Sequence, residues 1–323
     1  MPIASRKKHP TRRPQSGFSM VELLIAVALG IILSWAILDV TLTSSRTARE
    51  VELTSEMVEN GRYLSQLLKS EVHLAGFYGR VSRYIDATVA AQPDQCTGLS
   101  TASLTDGISF PIYGQDGVAA GTKICGGDTL LAGSDTLLIR RADTQFINTT
   151  TGLNASQHYI QETVSGYVLQ TGTNNASFNL LEKDGSVAAI REFHQTIYYV
   201  DDSNVFKRLR LVNGAYQPEP LVEGVDDFQV VYGIDRSGDG IANADAGNPA
   251  YVEIPATAAD WQNVVSLKIF VVLSSTQPGP GLADGKAYTY ADKVGVTFAD
   301  NKKRHLFSSV ARLTNVSIKR AGL

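Results

Sequence analysis

Cysteine is almost missing from this chain: Cys96 and Cys125 are the only two. A four-ligand zinc cluster of the usual kind cannot be built from them alone. A small disulfide-dense scaffold is excluded as well. An excess of one charge is also lacking. With 29 Lys and Arg against 32 Asp and Glu, the formal net charge is −3. A general nucleic-acid binder needs a strong basic excess, so no direct nucleic-acid partner is expected. Charged residues are few, at 19%, and hydrophobic ones reach 43%; that balance excludes wholesale disorder and predicts a globular core. Histidine is sparse. His9, His73, His158, His194 and His305 are scattered, and none sits in an HExxH motif. There is no GxSxG elbow. Gly279 to Lys286 resembles a phosphate loop, but the spacing is one residue too long and Ala287 stands where Ser or Thr is required. The adjacent pairs Asp201-Asp202 and Asp226-Asp227 would point to opposite faces of a strand. They are read as turn and edge polar residues rather than an acid/base pair. No catalytic residues emerge, and the chain is read as a non-enzyme.

What is present is concentrated at the N-terminus. Arg6, Lys7, Lys8, Arg12 and Arg13 stand in the first 17 residues, with no acid among them. Taking those five from the 29 basic residues leaves 24 against 32 acids, so a basic tip precedes an acidic body. Phe18 to Leu38 follows as an apolar run broken by one charge, Glu22. As a helix it spans roughly 30 Å, about the thickness of a bilayer core. It is too long for the apolar region of an ordinary cleaved secretory signal. The basic tip predicts a cytoplasmic N-terminus, with everything after about residue 40 across the membrane. Glu22 is costly in that setting, on the order of 2.5–3.5 kcal/mol for an acid deep in a membrane helix. Such residues usually mark function beside a partner. A cut between Gly17 and Phe18 would supply one, because the new α-amine at Phe18 lies four residues from Glu22 on one helix face.

The run Gly17-Phe18-Ser19-Met20-Val21-Glu22-Leu23-Leu24-Ile25-Ala26 closely resembles the class III signal of type IV pilins and pseudopilins. The resemblance implies cleavage after Gly17 by prepilin peptidase and N-methylation of Phe18. It also implies that Glu22 recruits the subunit to a growing filament by neutralising a terminal amine.

Past the membrane, Asp39 to His73 holds no Pro and a single Gly, Gly61. Leu53, Met57, Gly61, Leu64, Leu68, Val72 and Ala75 recur at spacings of three and four, one apolar stripe on a helix. Gly76 is the predicted stop. A helix from Phe18 to about Ala75 would be roughly 87 Å long. Such a length suits a first half packed against other subunits and a second half packed on its own domain. From about residue 80 short strands are predicted at 135–140, 167–169, 195–200, 207–212, 227–232, 264–273, 293–298 and 310–319. Gly, Asn, Asp and Pro punctuate them, among them Gln277-Pro278-Gly279-Pro280-Gly281. Asn213-Gly214 signals a tight hairpin. No strands alternate with long helices, so a doubly wound parallel sheet is disfavoured. The fold class read from this is α+β and type IV pilin-like: a long N-terminal helix, its first half transmembrane, on a large, mainly antiparallel β-sheet domain. Residues 1–17 are read as the cleaved leader and 18–39 as the transmembrane and filament-core helix. Residues 40–76 are read as the soluble half of that helix and 77–323 as the periplasmic β-rich domain.

Ile197-Tyr198-Tyr199-Val200, the run from Leu221 to Asp235, Trp261 with Val264 to Ile269, and Phe307 to Asn315 resemble PilW-type minor pilins. The end of the helix, His73 to Gly79, fits the same family. Residues 85–190 match nothing recognisable. The resemblance implies a minor pilin that helps initiate the type IV pilus near its tip. Its implied partners are the prepilin peptidase, other minor pilins, the major pilin and a tip adhesin. It implies residence as a single-pass inner-membrane protein and then at the cell surface in the pilus. The near alternative is a J-like pseudopilin of type II secretion; the distant one is a membrane-anchored periplasmic enzyme or binding protein.

Three further features are read from the residues. Asp235, Ser237, Asp239, Asn243 and the carbonyl of Ile241 fall at positions 1, 3, 5, 9 and 7 of a calcium-type loop, with Gly240 at 6. Position 12 is Ala246, so the bidentate Glu is missing, and Asp245 comes one residue early. The alternatives are Ca2+ and an acidic surface turn; no cofactor is required. Cys96 and Cys125 would lie in an oxidising compartment, where a disulfide between them is expected rather than two buried thiols. The cluster Lys302-Lys303-Arg304-His305 is expected to be a solvated loop.

Overall fold

The structure, a computed structural model, describes residues 17–81, 89, 91–92, 94–96, 101–245, 247–278 and 284–322, without the side chains of 101–103. The basic residues of the leader, Ala246 and the Gly279 to Gly281 turn lie outside the described residues. The chain divides into two compact units, with the boundary between Glu52 and Leu53.

Helix α1 runs Met20–Leu74 without a break, as the absence of Pro from 39 to 73 predicts. In the first unit its residues are exposed throughout the apolar run. Phe18 is 85% and Trp35 74% exposed, and the helix is long and apolar enough to cross a membrane.

In the second unit, α1 buries the predicted stripe: Leu53, Met57, Gly61, Leu64, Leu68 and Val72. Leu64, Leu68 and Val72 are fully buried, each stabilising by roughly 1.5–3 kcal/mol relative to exposure. Gly61 is small for a reason. A Cβ there would overlap the Phe307 ring. The helix stops at Gly76, whose φ of 71° favours glycine, and whose N–H donates to Arg140 O at 3.0 Å.

A short helix, α2 (Thr101–Gly107), precedes the first sheet. That sheet contains β1 (Ile112–Gln115), β2 (Thr136–Ala142), β3 (His158–Glu162), β4 (Tyr167–Thr171), β5 (Ile190–Val200), β6 (Val205–Val212) and β7 (Ala215–Glu223). The order is β1-β2-β5-β3-β4, with β6 on β5 and β7 on β6, and every pair is antiparallel. Strand β5 serves β2 along one edge, and β3 then β6 along the other. The Asn213-Gly214 hairpin joins β6 to β7, with φ of 51° and 75°, as a type I′ turn requires. Pro218 and Pro220 sit in β7, an edge strand, where a missing N–H costs no ladder bond.

The second sheet has the order β13-β10-β8-β9. Its strands are β8 (Val225–Ile234), β9 (Tyr251–Val252), β10 (Val264–Ser274) and β13 (Arg304–Arg312); α3 (Ala258–Gln262) lies between β9 and β10. A separate ribbon pairs β11 (Tyr288–Tyr290) with β12 (Lys293–Val296). One core joins the α1 stripe to Leu137, Ile139 and Tyr198 of the first sheet and to Phe228, Val230 and Ile269 of the second. Asp135 ties the sheets together: its carboxylate accepts from Gly117 N–H at 2.9 Å and Val230 N–H at 2.8 Å.

One expectation needs correction. The strand predicted over 310–319 ends at Arg312, and Thr314–Arg320 is helix α4. Leu313 and Val316, both buried, then Ser317 and Arg320, fall at helical spacing; the run of β-branched residues masked that period. The stretch 85–190 supplies α2 and β1 to β4, of which β2 and β4 fall on the predicted runs 135–140 and 167–169.

Candidate functional site

The N-terminal end of α1 is built from residues that leave it open. Gly17 has nothing within 4 Å of where a Cβ would stand, and Phe18 lies outside the helix. The first helical hydrogen bond runs from Leu23 N–H to Ser19 O at 3.1 Å. Ser19 and Glu22 then cap the helix start through two long contacts, close to a capping box but with the hydroxyl on Val21 rather than Glu22. The Ser19 hydroxyl accepts from Val21 N–H at 3.4 Å, and the Glu22 carboxylate accepts from Ser19 N–H at 3.5 Å. The sequence signal for this was present and unread: Ser-x-x-Glu ahead of an apolar run. The placement explains how an acid is tolerated here. The unpaired N–H groups and dipole of a helix start favour negative charge. A free amine created at Phe18 would join the same cluster. The geometry therefore fits Gly17, Phe18 and Glu22 as one unit, with the rest of the run as an uncovered apolar surface.

Comparison with known proteins bears on both ends of the chain. Residues 12–38 match the prokaryotic N-terminal methylation motif. Residues 197–315 match the model of type IV pilus-assembly protein W. The chain carries a PilW-type region behind a prepilin-type N-terminus. No curated protein matches. Among solved structures, a type IV-like pilin from Thermus thermophilus is similar at 14% identity and a TM-score of 0.28, covering 57% of this chain and 78% of that one. The prepilin motif implies processing by the peptidase and assembly with other pilins. Together with the apolar helix it fits membrane anchoring.

The PilW-type region takes in the end of β5, all of β6 to β13, and the start of α4. The calcium-like loop lies inside it. Asp235 is fully buried. Its carboxylate accepts from Gly238 N–H at 2.7 Å, Gly240 N–H at 3.0 Å and Arg320 Nε at 2.6 Å. Asp239 accepts from Ile241 N–H and Asp245 from the Asn248 amide, while the Asn243 amide donates to the Ser237 hydroxyl. A guanidinium thus occupies the face of Asp235 that a cation would need. The donor set does not fit Ca2+, and among the described residues no group of three or more His, Cys, Asp or Glu could hold a metal. Burial raises the Asp235 carboxyl, but Arg320 and the two glycine N–H groups outweigh it and hold the group below the usual carboxylate range.

The basic cluster is not the solvated loop expected from sequence. Arg304 opens β13, is buried, and binds Asp226 at 2.6 Å and Asp300 at 2.5 Å. Its hydrogen bond pulls the Asp300 carboxyl down to about 2. Asp226 therefore faces Arg304, while Asp227 accepts from the Tyr290 hydroxyl at 2.7 Å. Both are structural, but on the inner strand β8 rather than an edge. Asp201 accepts two backbone N–H groups and pairs with Lys207 at 2.7 Å. Cys96 and Cys125 form a disulfide with a Cα–Cα distance of 4.7 Å, beside the apolar cluster of Ile124, Leu130 and Leu138. The described histidines stay apart in role. His73 meets the Thr314 hydroxyl, and His194 meets Asp143 at 3.2 Å.

Proposed function

We propose that this chain is a non-catalytic minor pilin that helps initiate the type IV pilus near its tip. Prepilin peptidase cuts between Gly17 and Phe18, and Phe18 is methylated. The N-terminus is cytoplasmic and the β-rich domain periplasmic until the subunit is drawn into the filament. Other minor pilins, the major pilin and a tip adhesin are its partners. The observation that carries this reading is the uncovered apolar helix with Glu22 in its first turn, directly behind a cleavable Gly17-Phe18 junction. Burial of that surface against neighbouring helices supplies the driving force, and Glu22 paired with a terminal amine sets axial register. The match at 197–315 favours pilus assembly over type II secretion.

Glu22→Ala tests the mechanism. Membrane insertion is expected to stay intact, since the change removes a charge from an apolar run, while the fraction of chain recovered in sheared pili falls. Equal recovery of mutant and wild type in pili would refute the role of Glu22. An N-terminal sequence of the protein from its own membrane that begins at Met1 would refute processing.

A further inference from the structure

Strand β13 is the outermost member of the second sheet and pairs with β10 over nine residues in unbroken register. Two hydrogen bonds fix which backbone groups that pairing uses: Ser275 N–H donates to Lys303 O, and Leu313 N–H to Val265 O, both at 2.8 Å. Bonded residues alternate along an antiparallel ladder, so the odd-numbered residues of β13 face β10. The N–H and C=O groups of Leu306, Ser308, Val310 and Arg312 project the other way, and among the described residues they meet no partner. Arg304 starts the strand differently, its carbonyl accepting from the Tyr288 hydroxyl at 3.1 Å. Folded proteins protect edges of this length with Pro, a bulge or a covering segment. The edge strand β7 carries Pro218 and Pro220; β13 carries no Pro, no Gly and no bulge.

The surroundings of the edge define what fits it. Phe307, whose ring packs on Gly61 of α1, forms one wall of a groove of about 860 Å³, and Arg62, Gln66, Lys69 and His73 form the other. Arg62 and Lys69 are exposed and enter no ion pair among the described residues. On the opposite face of the edge, Val310 is 60% exposed. We infer that β13 accepts an extended segment of a different protein as an added antiparallel strand, with acidic side chains toward α1 and apolar ones beside Val310. In such an addition the residues that bond Ser308 and Val310 share their face of the sheet, and the residues between them turn toward Arg62 and Lys69. Carboxylates there meet two unpaired cations, while a basic segment is repelled. A second copy of β13 does not fit, because its nine residues include no acid. The contact uses the second unit alone and does not depend on processing of the N-terminus.

Two experiments on the full-length chain test this. In detergent, a short fluorescent peptide alternating valine and glutamate is titrated by anisotropy beside one alternating valine and lysine. The glutamate peptide should bind about tenfold more tightly, through two exposed ion pairs gained against two repulsions, and Arg62→Glu with Lys69→Glu should reverse the order. N-methylation of the valine amides should abolish binding, and N-methylation of the glutamate amides should leave it in place. Val310→Pro removes one outward N–H without touching a bond to β10 and should weaken binding by about threefold to tenfold. Equal binding of the two peptides, or equal effects of the two N-methylations, overturns the proposal whether or not the proline variant folds. In the native membrane, a benzophenone side chain at the position of Gln66 is photo-cross-linked and the attached segment is sequenced by mass spectrometry. The expected adduct is an acidic, alternating segment of another protein. No adduct, an adduct within the same chain or to a second copy, or an adduct to a basic segment overturns it.

Discussion

Replacing Arg320 by Ala isolates the energetics of the calcium-like loop. In the wild type the fully buried Asp235 carboxylate has one cationic partner, Arg320, and two backbone N–H donors. Removing one member of a buried pair costs about 3–5 kcal/mol, because the other charge is left desolvated. Here Arg320 is 20% exposed and the two N–H donors remain, so the low end, about 3 kcal/mol, is expected. For a domain of this size that lowers Tm by about 6–12 °C. The pH dependence is the sharper readout. The Asp235 carboxyl is held below its usual range, so the folded state favours the ionised form. That contribution is present above the unfolded carboxylate pKa of about 4 and is lost as pH falls through the folded value. The gap between wild type and Arg320→Ala should therefore be widest near neutral pH and close in acid. Thermal melts of the full chain in detergent from pH 2 to pH 7 measure it. An unchanged Tm, or a gap that does not narrow in acid, would refute the account. The same melts test the metal. A rise in wild-type Tm with millimolar calcium, lost in Asp239→Ala, would show that the loop binds calcium in spite of the guanidinium.

Asp135 has the opposite sign. Burial pushes its carboxyl up to about 7, against the pull of the Gly117 and Val230 N–H groups. Its contribution is full below the unfolded pKa and is lost as pH rises through about 7. Asp135→Asn should flatten stability between pH 5 and pH 8 while costing about 1–3 kcal/mol, because an amide N–H must face a backbone N–H; an unaltered pH profile in urea titrations would count against it. Replacing both Cys96 and Cys125 by Ser opens a loop with a sequence separation of 29 and should lower stability by roughly 3–4 kcal/mol in the chain-entropy model. Denaturation of the double mutant against wild type, without reductant, measures that loss.

Local pattern was sufficient wherever one chain segment carries its own signal. The α1 stripe from Leu53 to Val72, the stop at Gly76 and the Asn213-Gly214 turn follow from spacing and from backbone freedom, and the structure shows each of them. The Gly17-Phe18 junction, Glu22 and the apolar run are equally local. Their chemistry needs no neighbour within the chain, and the structure leaves them exposed.

Long-range pairings were not legible. Arg304 looked like one of four surface cations, because nothing near it in sequence announces Asp226, 78 residues away. Asp235 looked like the first ligand of a cation loop, because Arg320, 85 residues on, is invisible from the loop itself. The strands β2 and β4 follow the predicted runs 135–140 and 167–169, but β1 and β3 are short and carry no clear alternation, and they became strands by pairing with β2, β4 and β5. Sequence alone determined the apolar N-terminal run, the methylation motif that includes it and the helix that follows, since those rest on hydropathy, charge order and helical period. Tertiary structure decided which charges are spent inside the fold and which remain free. Burial sets the worth of a charge, and burial depends on chain brought in from far away.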